Sequence, residues 1–205
     1  MRKLAGIALL GVLGFAALPV WAADAPPGCA WLCGSWVLDA AHSDSADTAV
    51  DAALEKYKDP KPRKPRRHEA DPVADADAQI EAELEPLYDR PTKAQMRKRL
   101  LALASPPASL VLAQQGSEEI VIRPAGGAER HAFPDEPHSI VDAEGTAKIT
   151  TKWKHDALVI EQKYDRKSKQ IETYTLLPNG TLQVILELER PGARKIELKS
   201  LYRRG

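Results

Sequence analysis

AKITTKWKHDALVIEQKY, residues 147–164, decides the fold. In its first half Ala147, Ile149, Thr151 and Trp153 take alternate positions, with Lys148, Lys152 and Lys154 between them. Successive side chains of a strand point to opposite faces, so this is a strand with one buried and one wet face. His155-Asp156 breaks the alternation, which resumes at Leu158, Ile160, Gln162 and Tyr164. Two strands joined by so short a turn pair as an antiparallel hairpin.

The pattern extends in both directions. Upstream, Leu110 and Leu112 run to a turn at Gln115-Gly116-Ser117, Ile120 and Ile122 run to Gly126-Gly127, and His131 and Phe133 mark a short strand. Downstream, Ile171 to Leu177 meets Pro178-Asn179-Gly180, where Asn-Gly suits a tight turn. Leu182, Val184, Leu186 and Leu188 follow, and Pro191-Gly192 leads into Ile196, Leu198, Ser200 and Tyr202. With Ser35-Trp36-Val37-Leu38 near the front, the chain is mainly β: an antiparallel up-and-down meander or barrel of roughly eight or nine strands. So long a meander tends to curl, because open edge strands invite pairing with other chains. The first strand should then pair near the last.

A charged helical insertion at 40–107 separates the first strand, 34–39, from the meander at 108–204. Val50, Ala53, Leu54 and Tyr57 share a face at helical spacing, which predicts a helix over Ala46–Lys58 with Asp47 as its cap. A basic, Pro-rich loop follows at 59–67, and from Lys56 to Arg67 there are seven basic residues and one acid. Glu69 to Glu85 then carries seven acids and no base, with Ile80, Leu84 and Leu87 suggesting a second helix over 74–88. Thr92-Lys93-Ala94-Gln95 is a capping box, and Met96, Leu100 and Leu103 form an apolar stripe that stops before Ser105-Pro106-Pro107. That stripe must be buried, and the barrel mouth is one place for it, as plug or lid.

The first twenty-two residues read as an export signal. Arg2 and Lys3 precede the apolar run Leu4–Val20, and Val20-Trp21-Ala22 offers a cleavage site. A retained anchor, or a lipoprotein acylated at Cys29, are the other readings. Cleavage leaves a single domain at 23–205, periplasmic or secreted, with no further transmembrane segment. The whole chain has 29 basic and 29 acidic residues, and such a balance gives no general pull toward nucleic acid. In an oxidising compartment Cys29 and Cys33 read as a local disulfide; free thiols, an intermolecular bond, or a metal or redox pair are the alternatives.

Gly34-Ser35-Trp36, with Arg203 or Arg204 ending the last strand, resembles the lipocalin and wider calycin pattern. In those barrels a Gly-x-Trp near the N-terminus packs under a basic residue of the final strand. The resemblance implies an up-and-down barrel with a cavity for an apolar ligand. The insertion at 40–107 departs from it, since lipocalins have a loop there. The layout also looks like that of exported proteobacterial proteins, a likeness that implies no activity.

On this reading Trp36, Trp153, Tyr164, Leu158, Ile160 and Leu186 are the candidate cavity residues, although the same side chains could fill the barrel themselves. Lys61, Arg63, Lys64, Arg66 and Arg67 are candidates for contact with an anionic envelope component. No histidine pair has helical zinc spacing, and there is no nucleophile elbow, phosphate loop or dinucleotide fingerprint. No catalytic, cofactor or metal residue is therefore assigned. His131 and His138 flank Asp135-Glu136, a grouping better read as an exposed loop than as a metal site. The leading expectation is an exported, non-enzymatic protein that binds a lipid or other apolar or amphipathic envelope molecule. The alternatives are an interaction module of the envelope acting through its charged insertion, and a hydrolase of unknown type.

Overall fold

In the computed structural model, which describes residues 29–61 and 90–205 except 117, 143 and 165–166, the alternation becomes ten antiparallel strands in one sheet. They are β1 Gly34–Leu38, β2 Ser109–Gln115, β3 Glu119–Pro124, β4 Arg130–Ala132, β5 His138–Asp142, β6 Gly145–Lys154, β7 Ala157–Tyr164, β8 Ser168–Leu176, β9 Leu182–Glu189 and β10 Ile196–Arg204. Their order across the sheet is β4-β3-β2-β1-β10-β9-β8-β7-β6-β5. The first strand therefore lies between the second and the last, with Trp36 opposite both Leu110 and Arg204. The sheet curls until the segment after β4 reaches β6: Pro134 bridges to Thr151, and the Asp135 N–H donates to the Thr151 carbonyl at 2.9 Å.

Two details depart from the sequence expectation. β5 is the additional strand; it sits at the sheet edge with Val141 82% exposed, so it shows no one-sided apolar pattern. β4 begins one residue earlier than expected, and its pairing puts Ala132 in the core and Arg130 inward, while His131 faces out. Ala132 sits opposite Ile120 and Arg130 opposite Ile122; paired residues share a face, which sets that phase.

One end of the barrel is packed solid. Trp36 and Leu32 are fully buried, with Cys29, Leu110, Leu112, Leu158, Leu182 and Tyr202 around them. Cys29 and Cys33 are disulfide-bonded, with Cα atoms 5.3 Å apart, and pin the 3-10 turn Cys29–Trp31 under this floor. The indole Nε1–H of Trp36 donates to the Leu32 carbonyl at 3.1 Å, and the Arg204 guanidinium lies 5.1 Å from the ring centroid. Gly34 has φ +146, and a Cβ there would meet Arg204 Nη1 at 3.4 Å. The Gly-x-Trp spacing thus has a local cause: the backbone at φ +146 is one that only glycine adopts readily, and it leads into the tryptophan that Arg204 covers.

The other end is roofed by two helices. α1, Ala46–Ala53, is shorter than expected: Leu54 closes it, and Leu54 and Tyr57 reach the same apolar cluster from the turns beyond. Its cap is Ser45, not Asp47. The Ser45 hydroxyl accepts from the Thr48 N–H at 3.3 Å, whereas Asp47 already lies in the first turn. α2, Lys93–Ala104, carries the expected capping box, with Thr92 and Gln95 bonded reciprocally at 2.9 and 3.3 Å. Val50, Leu54, Met96 and Leu100 pack on Leu188, Ile196 and Leu198 of the last two strands. Arg97 ties α2 to Asp47 and Asp51 of α1 at 2.9 and 2.6 Å. Those ion pairs are exposed and screened by solvent, whereas each fully buried aliphatic side chain contributes about 1.5–3 kcal/mol. Apolar contact is what holds the roof down.

Among the described residues no helix is long and apolar enough to cross a membrane. The export signal, the helix expected at 74–88, and Arg63, Lys64, Arg66 and Arg67 lie outside the described residues.

Trp36→Ala should destabilise the protein by roughly 3–5 kcal/mol, measured by urea unfolding. A loss below about 1 kcal/mol would contradict the seating of Trp36 as the floor of the barrel.

Candidate ligand-binding cavity

Between floor and roof the barrel holds a cavity of about 360 Å³. The apolar part of its wall is Leu110, Ile122, Pro124, Val184 and Leu186. The last turn of α2 and the segment after it, Ala102 to Pro107, close it on one side, and the Ala125–Gly127 turn borders it. The apolar stripe of α2 is divided: Met96, Leu100 and Ala104 are buried in the roof cluster, and Leu103 and Ala104 line the cavity.

Polar side chains are interleaved with these apolar ones: Val184 pairs with Tyr174 and with Ser200, Leu186 with Glu172, and Ile122 with Arg130. Gln170, Glu172 and Tyr174 come from alternate positions of β8, Ser200 and Tyr202 from β10, and Arg130 from β4. Arg130 holds Glu172 with two parallel bonds, Nη1 to Oε1 at 2.6 Å and Nη2 to Oε2 at 2.9 Å. Nη2 also donates to the Tyr174 hydroxyl at 2.9 Å. That hydroxyl donates in turn to Glu172, and Gln170 Nε2 donates to Glu172 Oε1 at 2.7 Å. Glu172 thus accepts four hydrogen bonds, while the buried Arg130 Nε has no partner.

Burial pushes the Glu172 carboxyl up. The Arg130 charge and the four donors pull it down harder and hold it at about 2. Burial raises the Tyr174 hydroxyl far above its usual range, and the Glu172 charge adds to that. Tyr202 is raised for the same two reasons. At neutral pH the cluster therefore holds one cation, one anion and neutral tyrosines. Glu172 is too weak a base, and too fully bonded, to take a proton from a substrate. No histidine lines this cavity.

Of the cavity residues expected from sequence, Leu186 lines this wall. Trp36 lies in the floor and Leu158 in the core beside it, while Ile160 and Trp153 pack against that core. Trp153 also meets Trp31, with ring centroids 5.7 Å apart. Tyr164 sits apart, its hydroxyl donating to Asp142 Oδ2 at 2.7 Å and accepting from Gln162 at 2.5 Å. Lys61 is exposed at the end of the described segment. His131 bonds to Glu119, and His138 packs edge-on against Phe133. Among the described residues no cluster of His, Cys, Asp and Glu is placed to hold a metal.

Arg130, Gln170, Glu172 and Tyr174 carry the polarity of the site, and alternation alone does not reveal them. In β8, Ile171 is the obvious inward candidate, yet it faces away. The signal lies across the turn. Leu176 pairs with Leu182, so Tyr174 meets Val184 and Glu172 meets Leu186. Partners across a ladder share a face, so the inward leucines of β9 draw Glu172 and Tyr174 inward with them.

No family model and no curated protein sequence matches the chain. Among solved structures it is similar to lipid binding protein 8 of Caenorhabditis elegans in its apo form, at 10% identity and a TM-score of 0.49, covering 86% of this chain and 96% of that one. It is also similar to a fatty acid transporter designated REP1-NXSQ, at 17% identity and a TM-score of 0.47, covering 86% and 97%. A third is the Schistosoma mansoni fatty acid binding protein in complex with arachidonic acid, at 10% identity and a TM-score of 0.47, covering 87% and 98%.

The Glu172 carboxyl makes stability depend on pH. Its folded pKa, about 2, lies below an unfolded value of about 4.3, so its contribution is complete above pH 4.3 and is lost as pH falls toward 2. The amount is at most about 3 kcal/mol. In Arg130→Met the downward pull is gone and burial alone raises Glu172, so its contribution is lost instead as pH rises. Urea midpoints measured from pH 5 to pH 2.5 should show the gap between wild type and Arg130→Met closing on acidification. A constant gap would mean that the pair does not govern Glu172.

Proposed function

We propose that this chain is a non-enzymatic binding protein that holds one small amphipathic molecule, its apolar part against Val184, Leu186 and Ile122 and its polar end toward Arg130 and Tyr174. The observation that carries this reading is a cavity between two well-packed ends, lined both by apolar side chains and by the Arg130–Glu172–Tyr174 cluster. A barrel of this size can fill itself with side chains, and this one does so at the floor and under the helical roof. About 360 Å³ falls at the small end of the roughly 300–1,000 Å³ typical of small-molecule sites, which fits a single slender ligand.

The leader-like residues 1–22 and the bonded Cys29–Cys33 pair favour an exported protein working in an oxidising compartment. The ligand is then an amphipathic molecule of the cell envelope or of the medium outside it.

Titration with a fluorescent apolar probe tests this reading. Wild type should bind the probe in one-to-one stoichiometry. Val184→Phe adds bulk to the lining, should cost about 1–3 kcal/mol of stability, and should weaken binding at least tenfold while the unfolding transition stays cooperative. Equal binding by wild type and Val184→Phe would place the probe elsewhere and reject the proposal.

A further inference from the structure

We infer that Glu172 sets the ligand class: the cavity takes an amphiphile with an uncharged, hydrogen-bonding head group and turns away one that ends in a carboxylate. This inference rests on the binding function proposed above. Arg130 and Glu172 are the charged residues of the described lining, and each cancels the other. A carboxylate head has two ways to use Arg130, and both are unfavourable. It can displace Glu172, which breaks two bonds from Arg130 and leaves that buried carboxylate with only Gln170 and Tyr174. Or it can sit beside the intact pair, placing a second negative charge against Glu172, whose own side chain is only 9% exposed.

A neutral head meets neither obstacle. The Ser200 and Tyr202 hydroxyls line the cavity and make no hydrogen bond to another described residue. An alcohol, ester or amide oxygen can accept from these groups while the Arg130–Glu172 fork stays closed.

Calorimetric titration with decanoate and decanamide at neutral pH, on the full-length processed protein, tests the inference. The two probes share their chain and differ in head-group charge. Wild type should bind decanamide at least about tenfold more tightly than decanoate. Glu172→Gln keeps the shape and frees the Arg130 charge, so it should shift the ratio toward decanoate by at least about tenfold. Arg130→Gln leaves Glu172 uncancelled and should instead raise the affinity for decylammonium relative to decanamide, which keeps the test decisive if Glu172→Gln fails to fold. Wild type binding decanoate as tightly as decanamide, or a ratio unmoved by Glu172→Gln, would overturn the assignment while leaving the binding function standing. Failure of wild type to bind any of the three probes would overturn both.

Discussion

Trp36 is seated where the first and last strands of the chain meet, and the rest of the barrel depends on that junction. β1 is five residues long and lies between β2 and β10, so it joins the two halves of a ten-stranded sheet. A strand so short has few ladder bonds with which to hold its place. The indole compensates by burying completely, by donating to the Leu32 carbonyl, and by lying under Arg204. Each contact reaches a different segment: the disulfide-closed turn, the end of β10 and the interior of the floor. Closing sequence-distant strands is slow and entropically costly, so a large buried ring at the seam is an effective fastening.

With the floor packed and the roof held by aliphatic contact, the middle is where the barrel departs from a simple core. An ion pair there is not an obvious gain in stability, since desolvation of both charges can exceed their attraction. The pair is retained with full bonding on Glu172 and a vacant donor on Arg130. α2 contributes its last turn to the cavity and its middle to the apolar roof.

Much of the architecture was legible before any coordinates. The hairpin at 147–164, the capping box at Thr92–Gln95 and the Gly34/Trp36 pair are local signals, each with a local cause that tertiary structure did not override. The misses are equally physical. Asp47 was expected to cap α1 and does not, because Ser45 is the residue with extended backbone at the helix start. β5 escaped notice because an exposed edge strand needs no apolar face. β4 was placed one residue late because His131-Ala132-Phe133 reads as well in either phase.

By itself the sequence determined the class of fold, the joining of first and last strands and the capping box that starts α2. These depend on alternation, turn chemistry and spacing, which neighbouring residues settle among themselves. Only the tertiary structure decided that the barrel stays hollow in its middle and that Arg130, Glu172 and Tyr174 meet there. Arg130 and Glu172 are forty-two positions apart on strands that are not neighbours in the sheet. Their meeting depends on how register and curvature add up across the whole sheet, a sum that no single stretch of the chain contains.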